Sequence, residues 1–125
     1  MRKTSAAALY YLGIPAENEI PIARTAGALE GLTALLQDGD TQIREIASGA
    51  LWTLSVNPEN QISIAKTAGA LQSLTALLRD ENEDARRGAA GTLRNLACNA
   101  ENKIAIARTS GAIEGLTILS RDSNA

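Results

Sequence analysis

The chain has 125 residues, enough for one domain, and 45% of them are hydrophobic although there is no Phe, one Trp and two Tyr. Its formal charge of −2 gives no electrostatic reason to expect nucleic acid as a partner, and no apolar run is long enough to insert into a membrane. With no His and one Cys, the chain has little from which to build a metal site or an acid–base catalyst. We therefore expect no enzyme, no metal and no cofactor.

The single cysteine, Cys98, cannot form a disulfide within the chain. A lone thiol is typical of proteins in reducing compartments, and the N-terminus lacks the apolar segment of a signal peptide. The sequence therefore predicts an intracellular protein of the cytoplasm, with the nucleus as a second location.

The most informative feature is a repeat of 42 residues. The two ends of segment 17–29, Glu17-Asn18 and Thr25 to Leu29, return unchanged in 59–71 and with conservative changes in 101–113; residues 17–58 and 59–100 agree without gaps at 22 of 42 positions. A period of this size that is held without insertion indicates one supersecondary unit stacked on copies of itself. Such stacks are solenoids, and most of them act as binding surfaces.

Each unit begins with a short helix followed by a medium one. Asn57-Pro58-Glu59 has the residues of a helix N-terminus: a cap, a proline at the first position and an acidic first turn. We expect this helix to stop at Gly69 in the left-handed C′ conformation, with Gly27 and Gly111 as its equivalents. The medium helix then carries a buried stripe with helical spacing, formed by Leu71, Leu74, Leu77 and Leu78.

The third helix of each unit is the longest. Its apolar positions fall within an arc of roughly 140° at 100° per residue. These positions are Ile43, Ile46, Ala47, Ala50, Leu51 and Leu54 in one copy, and Ala85, Gly88, Ala89, Thr92, Leu93 and Leu96 in the next.

This order of short, medium and long helices resembles the armadillo repeat. The residues that carry the resemblance are those of segment 101–113, from Glu101-Asn102 to Gly111-Ala112-Ile113, together with segment 89–97 before it. The resemblance implies an all-α fold, a right-handed α-solenoid with three helices per 42 residues. HEAT repeats, the alternative, have two helices per unit and lack the Gly-Ala-Leu junction.

The predicted armadillo domain covers the whole chain, 1–125. Its parts are a third helix at 1–15, full repeats at 16–57 and 58–99, and a partial repeat at 100–125.

Opposite the core arc, the third helices should present a groove at positions 45, 48, 49, 52, 53 and 56 and their equivalents. Every aromatic residue of the chain falls on two adjacent rows of this face: Tyr10, Trp52 and Arg94 form one row, and Tyr11, Thr53 and Asn95 form the other. We interpret the rings as platforms for a bound segment, because aromatics and Arg dominate binding hot spots. The alternative is that they pack on neighbouring side chains and bind nothing.

The resemblance gives Asn95 a role, because an Asn at the matching position of armadillo third helices hydrogen-bonds the backbone of an extended, antiparallel peptide. Thr53 and Tyr11 do not match it. The Trp that importin-alpha proteins carry four residues earlier is replaced by Gly91, Gly49 and Ala7. The chain is therefore similar to the beta-catenin-like branch rather than to importin-alpha. Glycines inside a helix need a reason, either the approach of a ligand backbone or tight packing on the adjacent helix.

Charges on this face suggest the nature of the partner. Lys3, Arg87 and Arg94 stand against Glu45, and this local positive excess favours an acidic segment. The predicted peptide-binding residues are Tyr10, Tyr11, Glu45, Trp52, Thr53, Arg87, Arg94 and Asn95.

A second hypothesis concerns the two ends. Ala8, Leu9 and Leu12 match the buried positions of later third helices, and Ile113, Leu116 and Leu119 leave apolar surface on the last medium helix. Neither end has a clearly polar cap, apart from Ser120 at a position that holds Leu in earlier copies. Either the chain is a fragment of a longer solenoid, or two such ends complete each other between copies, which makes self-association the alternative function.

Overall fold

The 42-residue period returns in the structure as a repeated set of three helices. The computed structural model describes residues 1–121, and these are helical with no strand; the last four residues of the predicted partial repeat, 122–125, lie outside the described part. The third helices are α1, α4 and α7, the short helices α2, α5 and α8, and the medium helices α3, α6 and α9. Their bounds are α1 Arg2–Leu12, α2 Glu19–Arg24, α3 Ala28–Leu35, α4 Thr41–Leu54, α5 Pro58–Lys66, α6 Ala70–Leu77, α7 Glu83–Leu96, α8 Ala100–Arg108 and α9 Ala112–Ser120.

Asparagine or aspartate side chains cap the N-termini of α4, α5, α7 and α8, and the cap of α5 at Asn57 confirms the prediction made for it. Asn57 accepts a hydrogen bond from the N–H of Glu59, with Pro58 at the first helical position. Asp40, Asn82 and Asn99 begin α4, α7 and α8 in the same way. In the first short helix a 3-10 turn, Ala16–Asn18, precedes α2, which contains Pro21 and has six residues. Pro21 has no N–H to donate to the Glu17 carbonyl, so α2 does not extend back to Ala16 as α5 extends back to Pro58.

The glycine of each junction has a different role from the predicted one. The short helix α5 ends at Lys66, before Gly69, and Gly69 (φ 79°) is the N-cap of the medium helix α6. Gly27 and Gly111 hold the same place before α3 and α9, also with positive φ. The prediction of a C′ glycine was therefore wrong in position. The left-handed backbone that it invoked is present, and it turns the chain sharply into the medium helix.

The core is an aliphatic layer between the medium and third helices. The predicted stripe of α6 is buried, and so is every predicted core position of α7. In α4 the predicted positions are buried apart from Ile46, which is half-buried. Residues of α3, α6 and α9 and of α4 and α7 form one continuous cluster. The helical spacing of the apolar residues therefore predicts which faces of the medium and third helices are buried.

Two sets of polar contacts join each repeat to the next. The Asn60 amide donates to the backbone oxygens of Glu19 and Leu54, at 2.9 and 3.0 Å, and Asn102 donates to Gln61 in the equivalent way. On another edge, Arg44 pairs with Asp80 at 2.8 Å while also donating to the Asp38 carbonyl. Both contacts recur with the sequence period, so they hold neighbouring repeats at a constant offset.

We predict that Asn60→Ala lowers the free energy of unfolding by about 2–3 kcal/mol, because two buried hydrogen bonds are lost. The matched control is Asn18→Ala, at the equivalent position, which removes a single exposed bond to the Leu12 oxygen and should lose less than about 1 kcal/mol. Urea unfolding measures both. Equal losses would mean that Asn60 does not join the repeats.

Two glycine substitutions should have opposite effects on stability. Gly69→Ala should lower the free energy of unfolding by about 1–2 kcal/mol, because a Cβ is strained at positive φ. Gly31→Ala, inside α3 with no atom near the new methyl group, should raise it by up to about 1 kcal/mol. Thermal unfolding followed by circular dichroism distinguishes the two, and changes of the same sign would contradict the assignment.

Candidate functional site

The third helices lie side by side and form the floor of a groove. α4 packs between α1 and α7, and contacts between neighbouring helices keep a nearly constant sequence offset, which means that the helices run parallel. Between their outer faces lies an open cavity of about 590 Å³. Its lining residues are Ala7, Tyr10, Tyr11, Glu45, Ile46, Gly49, Trp52, Asp84, Arg87 and Gly88.

Two of the three groove rings, Tyr10 and Trp52, each pack on a glycine of the next third helix. A Cβ added to Gly49 would lie 2.8 Å from Cε2 of Tyr10, and a Cβ added to Gly91 would lie 2.3 Å from Cε2 of Trp52. No side chain fits at such distances, so only glycine allows the rings to lie against the helix backbone. Of the two reasons considered for these glycines, tight packing on the adjacent helix is the one that the structure shows.

A third close approach lies between α4 and α7. A Cβ on Gly88 would come within 2.5 Å of the Ser48 hydroxyl oxygen, and Ser48 is completely buried. Position 48 was expected on the groove face, and this expectation was wrong. The helices approach so closely that Ser48 is covered by α7.

The rings keep part of their surface in solvent. Trp52 is 38% exposed, and Tyr11 is exposed with its ring edge-on to Tyr10 at a centroid distance of 5.4 Å. Contact with the next helix fixes one side of Tyr10 and of Trp52, so these rings have little rotational freedom left to lose when a ligand binds.

The charges of the groove differ from the predicted positive excess. Asp84 joins Glu45 and Arg87 in the lining, and Arg87 pairs with Glu83 at 2.9 Å and lies 3.9 Å from Asp84. Glu45 accepts a hydrogen bond from the Asn82 amide. The sequence analysis considered the charge of Arg87 but not those of Glu83 and Asp84 beside it. The predicted positive excess is therefore corrected: the lining of the groove is of mixed charge.

The remaining predicted residues lie beyond the cavity, toward the C-terminal ends of the third helices. Thr53 is half-buried and donates to the Gly49 oxygen. Asn95 donates to the Ser55 hydroxyl at 3.0 Å, which uses one of its two amide hydrogens. Arg94 is exposed and forms no ion pair within residues 1–121.

The structure therefore brings together Tyr10, Tyr11, Glu45, Trp52 and Arg87 and leaves Thr53, Arg94 and Asn95 outside the cavity. Asp84 is the groove residue that the sequence analysis missed. Its signal was present, because Asp84 lies one helical turn before Arg87 on the same face of α7. Within residues 1–121 no cluster of His, Cys, Asp or Glu could hold a metal ion, and no helix has the length and apolarity needed to span a bilayer.

Comparison with known proteins identifies the repeat. Residues 57–98 match the Armadillo/beta-catenin-like repeat family. Two engineered proteins solved by the Northeast Structural Genomics Consortium are similar in structure, one at 31% identity over 98% of this chain and one at 29% over 97%, each with a TM-score of 0.86. A designed armadillo repeat protein has a TM-score of 0.87 at 27% identity over 97% of this chain.

This chain spans about half the length of those three structures, covering 50%, 50% and 51% of them. A search of curated proteins found no significant match. The fold of the described residues is thus that of an armadillo α-solenoid.

We predict that Gly91→Ala displaces the Trp52 indole and lowers the free energy of unfolding by about 1–3 kcal/mol through overpacking. Trp52 is the only tryptophan of the chain, so its fluorescence reports this contact alone. The emission maximum should move to longer wavelength as the ring leaves the helix backbone. Gly31→Ala is the control and should leave the spectrum unchanged; an unchanged spectrum for Gly91→Ala would contradict the ring–glycine contact.

Proposed function

We propose that this chain, an armadillo-repeat protein by its central repeat and its fold, is a non-enzymatic module that binds an extended segment of another protein in the groove of α1, α4 and α7. The observation that carries the proposal is the pair of rings, Tyr10 and Trp52, each held against a glycine with part of its surface open. Rigid, half-exposed aromatics of this kind are typical hot-spot residues. Armadillo solenoids in general are protein-binding and not catalytic.

The dimensions of the groove favour an extended segment over a folded surface. Three parallel helices at 8–10 Å spacing give a floor about 20 Å across, which corresponds to about six residues of extended chain. Such a segment has unpaired backbone N–H and C=O groups. The Asn95 side chain keeps one amide hydrogen and its oxygen for them, because the one hydrogen bond of this side chain within the described residues is the donation to Ser55.

The mixed charge of the groove refines the partner. Glu45 and Asp84 lie toward the N-terminal ends of their helices, and Arg94 lies toward the C-terminal end of α7. We propose that the bound segment carries a basic side chain near the two acids and an acidic one near Arg94. Arg87 then acts chiefly by holding Glu83 and Asp84 in place.

Self-association, the alternative that the sequence analysis names, stays a prediction. An intracellular location of the module, which the single cysteine predicts, stays a prediction.

The test begins with peptides selected on the chain from a displayed library of random 12-residue sequences. Trp52→Ala and Asn95→Ala should each weaken the binding of a selected peptide by about 1–3 kcal/mol. The matched control is Ile62→Ala on α5, because Ile62 is 40% exposed, much as Trp52 is, but lies on a short helix outside the groove. Titration by fluorescence anisotropy measures all three affinities.

Circular dichroism should show native helix content for every variant, since the substituted side chains are partly exposed. Unchanged affinity for both groove variants, or an equal loss for Ile62→Ala, would exclude the groove as the binding site. Selected peptides that are uniformly acidic would retain the groove but contradict the proposed pattern of charge.

A further inference from the structure

Exposed apolar side chains recur at one position of the repeat, just after each third helix. They are Ile14, Val56 and Cys98, and each lies 42 residues from the next. Ile14 is 56% exposed and Val56 is 61% exposed, and the Cys98 thiol is exposed as well. These three residues are called the apolar row below.

The exposure of the apolar row does not come from the ends of the chain. Val56 follows α4, which has a third helix packed on either side of it, α1 and α7. Val56 is nevertheless more exposed than Ile14, which follows α1. A single exposed apolar residue is common on protein surfaces and needs no explanation. The same exposure at equivalent positions, one of them in an inner repeat, is a property of the repeat and calls for one.

The apolar row is continuous with the groove. Val56 lies four residues after Trp52, and Cys98 lies four residues after Arg94, so each is one turn further along the same face. The Cys98 thiol donates to the Arg94 carbonyl oxygen at 3.9 Å, which keeps it over that turn. The apolar row therefore borders the groove at the C-terminal ends of the third helices.

The groove thus has two unlike edges. Glu45 and Asp84 line it toward the N-terminal ends of α4 and α7, and the apolar row lies on the opposite side. A segment that crosses the helices in extended conformation points alternate side chains toward these two edges, because the side-chain period of a strand is two. The floor of about 20 Å accommodates about six such residues. Half of their side chains therefore face each edge, about one for each third helix.

We infer that the apolar row binds aliphatic side chains at every second position of the segment that the groove takes. The inference rests on the proposed function and specifies the chemistry of the partner. The basic side chain that faces Glu45 and Asp84 belongs to the other set of alternate positions. The partner is therefore an extended amphipathic segment, in which aliphatic residues alternate with polar and basic ones.

The first test uses the peptides selected from the library of random 12-residue sequences. Their sequences should carry Leu, Ile or Val at alternate positions. Val56→Asn should weaken the binding of a selected peptide about fivefold or more, because an aliphatic side chain loses its apolar neighbour. The matched control is Ile62→Asn, an exposed apolar residue on α5 outside the groove, which should leave the affinity unchanged. Circular dichroism checks that both variants fold.

The second test uses the thiol of Cys98, the only cysteine of the chain. The rate at which iodoacetamide alkylates the protein measures the access of this thiol. A saturating selected peptide should slow the reaction about tenfold, because its aliphatic side chains cover the sulfur. Trp52→Ala at the same peptide concentration should recover part of the rate, since less of the peptide is bound.

The outcomes separate this inference from the proposed function. If Trp52→Ala weakens binding, an unchanged affinity for Val56→Asn would overturn the inference, and so would a Cys98 thiol that reacts as fast with peptide as without it. Selected peptides without alternating aliphatic residues would overturn it as well. If neither Trp52→Ala nor Asn95→Ala weakens binding, the proposed function itself fails and the inference fails with it.

Discussion

The close approach of neighbouring third helices is the constraint on which the rest of the structure depends. At Gly49, Gly88 and Gly91 there is no room for a side chain. The ring of Tyr10 on α1 therefore lies against α4, and the ring of Trp52 and the Ser48 hydroxyl on α4 lie against α7. Dispersion between a flat ring and a helix backbone is favourable only at such short range. The spacing that allows this packing also sets the width of the groove.

The polar contacts between repeats keep this spacing regular. Asn60 and Asn102 each bond to a backbone oxygen of the preceding short helix, and Arg44 joins α4 to the residue that leads into α7. These polar contacts and the ring–glycine contacts involve different residues, so each repeat is fixed to the next at more than one place. A groove held in this way is already formed before a ligand binds, which reduces the ordering that binding requires.

The sequence predicts the helix order and the core because both depend on local spacing. The stripe of α6 and the buried arc of α7 follow from a period of 3.6 residues, and the cap at Asn57 follows from residue type alone. Gly69 shows the limit of this reasoning: a positive φ suits both a helix end and a helix start, and composition does not distinguish them. Contacts between repeats are harder to predict from the sequence. The ring–glycine pairs lie 39 residues apart (10 to 49, 52 to 91), whereas the period of the repeat is 42. That lateral offset is a property of helix packing and cannot be read from the repeat. The ion pairs of Arg87 with Glu83 and Asp84, by contrast, have helical spacing and could have been predicted.

The central claim is that the face built from these rings and glycines is the binding surface. The most direct measurement is the change in amide chemical shifts across the whole chain, by NMR of isotope-labelled protein, when a selected peptide is added. The account predicts that the largest changes lie on α1, α4 and α7, together with the indole N–H signal of Trp52, and that the medium helices change little. Changes concentrated on α3, α6 or the short helices, with the Trp52 signal unmoved, would contradict it.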